Sequence, residues 1–245
     1  MTNRVVQEAF NHLIGDLKAT HGDNLASVVL YGSAASGDFV QAESDYNLLI
    51  ALHRIAPEDL RVAQPPMREW QRLGHPLPVY FTFAELRDAA DVFPIEFHRM
   101  ERARVVLYGR DPFESITISD ENLRHQTEYE LRSKLIQLRR LYIPATGSAV
   151  RLRDLMADSL TSFATLFAPV LLLHGQEPPV LKVEIVRAAV GLFGLDGKVF
   201  ERVFALRDGG ALPGEREADE LFASYLAQIE RVIEAVDRLD ISNGR

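Results

Sequence analysis

No cysteine occurs among the 245 residues of the chain. Disulfides and thiolate metal ligands are therefore excluded, and nothing argues for an oxidising compartment. Long apolar runs are also missing. The longest, Phe167 to Leu173, falls far short of the ~20 residues that a bilayer-spanning helix needs. The start of the chain, Met1-Thr2-Asn3-Arg4, leads into an amphipathic pattern in place of an apolar signal segment. These absences point to a cytoplasmic protein that works away from membranes. Positive charge is scarce as well. The net charge is −8, and residues 116–245 hold 16 Lys/Arg against 19 Asp/Glu, which leaves 11 against 16 in the first 115. A polynucleotide surface needs many phosphate-neutralising side chains. A long nucleic acid partner is disfavoured, whereas a small anion handled through a metal is compatible with the charge.

Apolar residues make up 47% of the chain and charged residues 25%, enough to bury a sizeable core in one large domain or two modest ones. Val6, Phe10, Leu13 and Leu17 recur at helical spacing. Ser27 to Tyr31 reads as a buried strand ending at Gly32, and Asp45 to Leu52 as a second. Pro57-Glu58-Asp59 opens a helix with proline first and acids in the first turn. Pro78 to Phe83 reads as a third strand, with two short ones near Ile95–Arg99 and Arg104–Tyr108. After about residue 116 the texture becomes helical. Ser119-Asp120-Glu121 starts a long helix ending near Pro144. Ala149 to Leu173 forms a second, kinked or broken by Pro169. Pro179 starts a third, and Lys198 to Leu206 and Glu217 to Leu239 supply two more. The expectation is an α+β protein: a small mixed-sheet domain over 1–115, then an all-α helical bundle over 116–245.

One stretch carries chemistry. A buried strand runs into Gly32-Ser33, followed by Ala34-Ala35-Ser36-Gly37. Glycine lets backbone approach a ligand closely, and free backbone N–H groups at such a turn favour phosphate. About a dozen residues later, Ser44-Asp45-Tyr46-Asn47 opens the second strand. Strand alternation puts Asp45 and Asn47 on one face, where two oxygen ligands suit a hard cation such as Mg²⁺.

Gly32, Ser33, Gly37, Ser44 and Asp45 at this spacing resemble the polymerase-β-like nucleotidyltransferase superfamily, which includes the aminoglycoside nucleotidyltransferases. The motif covers about twenty residues. A helix-prefaced α/β domain followed by a helical bundle extends the likeness over most of the chain. The resemblance implies a nucleotidyltransferase-like mixed sheet with flanking helices. It also implies Mg²⁺-dependent transfer of a nucleoside monophosphate from an NTP to a small hydroxyl-bearing acceptor. Gly32, Ser33 and Ser44 would hold nucleotide, and Asp45 and Asn47 would ligate metal. Asn47 departs from the pattern, because the family usually has its second metal-binding aspartate there.

The superfamily usually supplies a third carboxylate, from a later strand, as general base. The apolar third strand offers none, and the next candidate is Glu96 in Phe93-Pro94-Ile95-Glu96-Phe97. It reads equally well as a solvated residue on an outer sheet face. With an amide at Asn47 and no acid at Val79–Phe83, a non-catalytic nucleotide-binding or regulatory pseudoenzyme stands beside the enzyme reading, and a purely structural protein behind both. Glu128–Arg132 and Glu130–Lys134 sit at i,i+4 helical spacing and read first as ion pairs on a solvated face. Arg132, Lys134, Arg139 and Lys182 are weaker candidates for holding triphosphate or acceptor. Asp154 and Asp158, one turn apart, read first as solvated surface and second as facing an acceptor cleft. His98 reads as an incidental polar residue. A homo-oligomer is compatible with the sequence, which leaves the acceptor and the choice of NTP open.

Overall fold

The computed structural model describes residues 2–32, 34–35 and 46–239. Two compact units divide the chain, 1–118 and 119–245.

In the first unit a helix, α1 (Thr2–His21), leads into the strand β1 (Leu25–Tyr31). The next strand is β2 (Asn47–Leu52), followed by α2 (Pro57–Val62) and α3 (Gln64–Arg72). β3 (Val79–Thr82), α4 (Phe83–Asp88), α5 (Pro94–Arg102) and β4 (Arg104–Gly109) complete it. The four strands form one sheet in the order β3-β2-β1-β4. β1 runs antiparallel to both β2 and β4. β3 lies parallel to β2, and α2 and α3 supply the crossover that such a pair requires.

Central strands covered on both faces should be almost continuously apolar, and β1 and β2 are. Val28, Leu30, Leu48, Ile50 and Leu52 face a core built with Phe10, Leu13 and Leu17 of α1 and Met67 and Trp70 of α3. Val29, Leu49 and Ala51 face the other way, onto Leu86 of α4, Phe97 and Met100 of α5, and Phe113. Fully burying each large side chain contributes roughly 1.5–3 kcal/mol, so these two layers fix the sheet and hold the ends of β1 and β2 in place.

The expected strand at Ile95–Arg99 is instead the helix α5. Its buried residues include Phe97 and Met100, three apart, which is helical and not strand spacing. Pro94 occupies the first turn with Glu96, and Arg99 and Arg102 the last turn, as the helix dipole favours. β3 ends at Thr82 because Thr82 and Glu85 form a reciprocal cap. The Glu85 amide donates to Thr82 Oγ1 at 3.1 Å, and the Thr82 amide donates to Glu85 Oε2 at 2.7 Å.

The second unit contains α6 (Asp120–Ala145), α7 (Ala149–Leu173), α8 (Lys182–Phe193), α9 (Gly197–Arg207) and α10 (Glu215–Asp237). Ser119 caps α6, accepting from the Asn122 amide at 3.1 Å. α7 runs unbroken through Pro169 to Leu173, so the break that Pro169 offered does not occur. Proline removes one backbone bond, but Leu166, Phe167, Pro169, Val170 and Leu171 are all buried there, and that packing outweighs the loss. α7 is long and apolar enough to cross a membrane by length and composition alone. Here it is the central helix of the unit, in contact with α6, α8, α9 and α10. Pro179 does not start α8, which begins at Lys182.

Candidate functional site

β1, a central strand, delivers the chain to Gly32 just past its end. Gly32 has φ +81°, a left-handed conformation that favours glycine. Its amide donates to the Ala103 carbonyl at 2.9 Å, which ties the turn to the end of α5. The Ala35 amide then donates to the Gly32 carbonyl at 2.9 Å and closes a tight turn. Across the ladder, Tyr31 pairs with Asn47. A Cβ at position 32 would lie 3.6 Å from Asn47 Nδ2, so the Asn47 carboxamide stands directly beside the Gly32 backbone.

The structure therefore brings two of the expected site residues together, Gly32 and Asn47. Ser33, Ser44 and Asp45 lie outside the described residues. Tyr46, between Asp45 and Asn47, is an anchor. It is buried in an aromatic cluster, with ring centroids 5.1 Å from Phe10 and 4.7 Å from His75. Trp70 closes the cluster and donates from Nε1 to the Pro76 carbonyl at 3.0 Å. Seating Tyr46 on this side sends the neighbouring Asn47 to the opposite face by strand alternation.

That opposite face is the one covered by α5. Tyr31 packs into the same layer as Phe97 and Met100. Burial raises the Tyr31 phenol above its ordinary value, and the Arg99 guanidinium opposes that rise. Arg99 is thus a cation near the end of β1, and it makes no ion pair or hydrogen bond with a described residue. Arg104, close by in sequence, is consumed. It grips Asp111 through Nε at 2.9 Å and a terminal nitrogen at 2.8 Å. Arg99 was not among the residues expected from the sequence. Its relevance depends on α5 packing against β1, a contact that no local pattern encodes.

Glu96 projects from the first turn of α5 and is exposed. Its helix covers the sheet face that carries Asn47. β3 has no carboxylate, and the nearest acid after it, Glu85, is engaged in the Thr82 cap. His98 Nδ1, also on α5, is buried without a hydrogen-bond partner. Among the described residues no group of three metal-binding side chains occurs. A metal here would have one neutral carbonyl ligand in Asn47 beside the Gly32 turn.

The basic candidates of the helical unit divide. Arg132 pairs with Glu128 at 2.8 Å and Asp237 at 3.3 Å, and Arg139 with Glu230 at 2.6 Å. Both brace helices. Lys182 is exposed at the start of α8. Asp154 pairs with Arg153 at 2.7 Å.

No protein-family model matches this chain, and no curated protein matches it either. Among solved structures, it is similar to the spectinomycin adenyltransferase AAD(9) of Enterococcus faecialis, crystallised with ATP and spectinomycin. The two share 13% sequence identity with a TM-score of 0.55, over 92% of this chain and 98% of that one. The chain has an α+β, nucleotidyltransferase-like fold joined to a helical region.

Proposed function

We propose that the chain is a Mg²⁺-dependent nucleotidyltransferase that moves a nucleoside monophosphate from an NTP to a small hydroxyl-bearing acceptor. One observation carries the reading. A left-handed Gly32 turn, tied by its amide to Ala103, lies beside the Asn47 side chain at the paired ends of two buried strands. The ATP and spectinomycin bound to the similar structure are of the chemical kinds this proposal calls for.

In this reading the Gly32-Ser33 turn and Ser44 hold phosphate. Asp45 and the Asn47 carbonyl hold Mg²⁺, which would neutralise charge on the phosphates. Arg99 adds a positive charge beside the turn. The acceptor oxygen bonds to the α-phosphorus as the bond to the β-bridging oxygen breaks and pyrophosphate leaves. The acceptor proton passes to a base, and the candidate is Glu96, in the first turn of the covering helix. Removing one charge-assisted contact costs about tenfold in affinity. Arg99→Ala should therefore weaken ATP binding by about that factor in calorimetry, with an unchanged melting temperature. If Glu96 is the base, Glu96→Gln should cut kcat by about 10²–10⁴-fold with KM for ATP little altered. Pyrophosphate release with a panel of aminocyclitol and sugar acceptors tests the transfer itself. Product mass increased by one nucleotide is expected with at least one acceptor.

A second reading is favoured by a specific observation. Asn47 is neutral, β3 carries no acid, and Glu85 is engaged in a helix cap. A nucleotide-binding protein without turnover would look the same. ATP binding with no product from any acceptor would select it.

A further inference from the structure

Helices α6 and α7 border a cavity of about 170 Å³ within the helical unit. Lys134 of α6 and Asp158 of α7 both line it. They form no ion pair with each other, and neither pairs with any other described residue. Arg132, Arg139 and Arg153 have carboxylate partners, whereas Lys134 and Asp158 carry their charges into one cavity. The cavity thus presents one cation and one anion, both uncompensated. Its wall is also built from behind. Ser159 donates to the Met156 carbonyl at 3.0 Å, and its hydroxyl meets the Tyr225 hydroxyl at 3.1 Å. Tyr225 is completely buried, which pushes its phenol well above the ordinary range and keeps it neutral. Leu138 and Phe163, both buried, add an apolar floor.

Size limits the occupant. Pockets that enclose drug-sized ligands run to about 300–1,000 Å³, so an entire aminoglycoside exceeds this one. A molecule of about ten non-hydrogen atoms is closer in scale. We propose that this cavity binds a small zwitterion of amino-acid size. Its ammonium group would meet Asp158, its carboxylate Lys134, and an apolar side chain would lie on Leu138 and Phe163. The inference is independent of nucleotidyl transfer.

The test is calorimetric titration of the full chain, without nucleotide, with leucine, methionine and phenylalanine. The matched amines and the matched carboxylic acids serve as single-charge controls. At least one amino acid should bind, with each single-charge control weaker by about tenfold or more. Lys134→Met and Asp158→Asn should each weaken the amino acid by a similar factor. Both side chains reach solvent, and unchanged melting curves would show that the variants fold. The exchange Lys134→Asp with Asp158→Lys should restore part of the affinity. No binding by any of the three amino acids would overturn the proposal. So would amines that bind as well as the amino acids, or single variants that leave affinity unchanged. Because no NTP is present, these outcomes are separate from success or failure of the transferase reading.

Discussion

Asn47→Asp is expected to strengthen Mg²⁺-dependent ATP binding by about 10–100-fold. The change exchanges a neutral carbonyl for a charged ligand of nearly the same shape. Position 47 is the first residue of a buried strand, paired with Tyr31 and beside the Gly32 backbone. The new carboxylate would therefore sit where the existing carboxamide does, with little repacking. The 10–100-fold figure describes disturbing a partner of a metal ligand, so adding a ligand charge should give at least that, about 1.4–2.8 kcal/mol. The sign reverses in EDTA. Without metal, the added carboxylate would repel the ATP phosphates in the proposed site, so affinity should fall below that of the parent. Calorimetry with and without Mg²⁺ reads both effects. Equal affinities for the variant and the parent in Mg²⁺ would mean that position 47 does not touch the metal.

Gly109→Ala is expected to destabilise the first unit by roughly 2–5 kcal/mol. Gly109 ends β4 with φ +76°, in register with Ser27 of β1. A Cβ there would lie 2.0 Å from the Ala26 carbonyl oxygen and 3.0 Å from Ser27 Cα. Both are backbone atoms of a central strand and cannot swing aside. Ser27 is itself fully buried and donates to the Tyr108 carbonyl at 3.0 Å. A left-handed alanine costs about 1–2 kcal/mol, and forced overpacking adds about 1–3 kcal/mol. Against a typical total of about 5–15 kcal/mol, such a loss should lower the urea midpoint markedly. It should also disturb the site, because β1 and α5 together hold the Gly32 turn. A midpoint within error of the parent would show that the β1–β4 register is looser than the structure places it.

Much of this architecture was legible in the residues. β1 and β2 announced themselves as continuous apolar runs, because both faces of the sheet are covered. Ser119 and Pro57 marked helix starts by capping and by proline geometry, which are local rules. α5 was misread because Ile95 and Phe97 imitate strand alternation. The proline-first, acid-early, base-late order of Pro94, Glu96, Arg99 and Arg102 carried the better signal. Pro169 does not break α7, since a sequence shows the lost backbone bond but not the packing around it. At the site, the proximity of Gly32 and Asn47 followed from motif spacing and strand pairing. Arg99, and the cavity shared by Lys134 and Asp158, depend on contacts between separate helices or between helix and strand. No short window of sequence contains those contacts.

The central claim is that the Gly32 and Asp45–Asn47 region binds nucleotide through a divalent metal. Calorimetric titration of ATP into the parent and into Asp45→Ala, each with Mg²⁺ and with EDTA, tests it most directly. Binding by the parent in Mg²⁺, lost in EDTA and weakened at least 10-fold in Asp45→Ala, is the result expected. Metal-independent binding, or the same affinity in the parent and in Asp45→Ala, would contradict it.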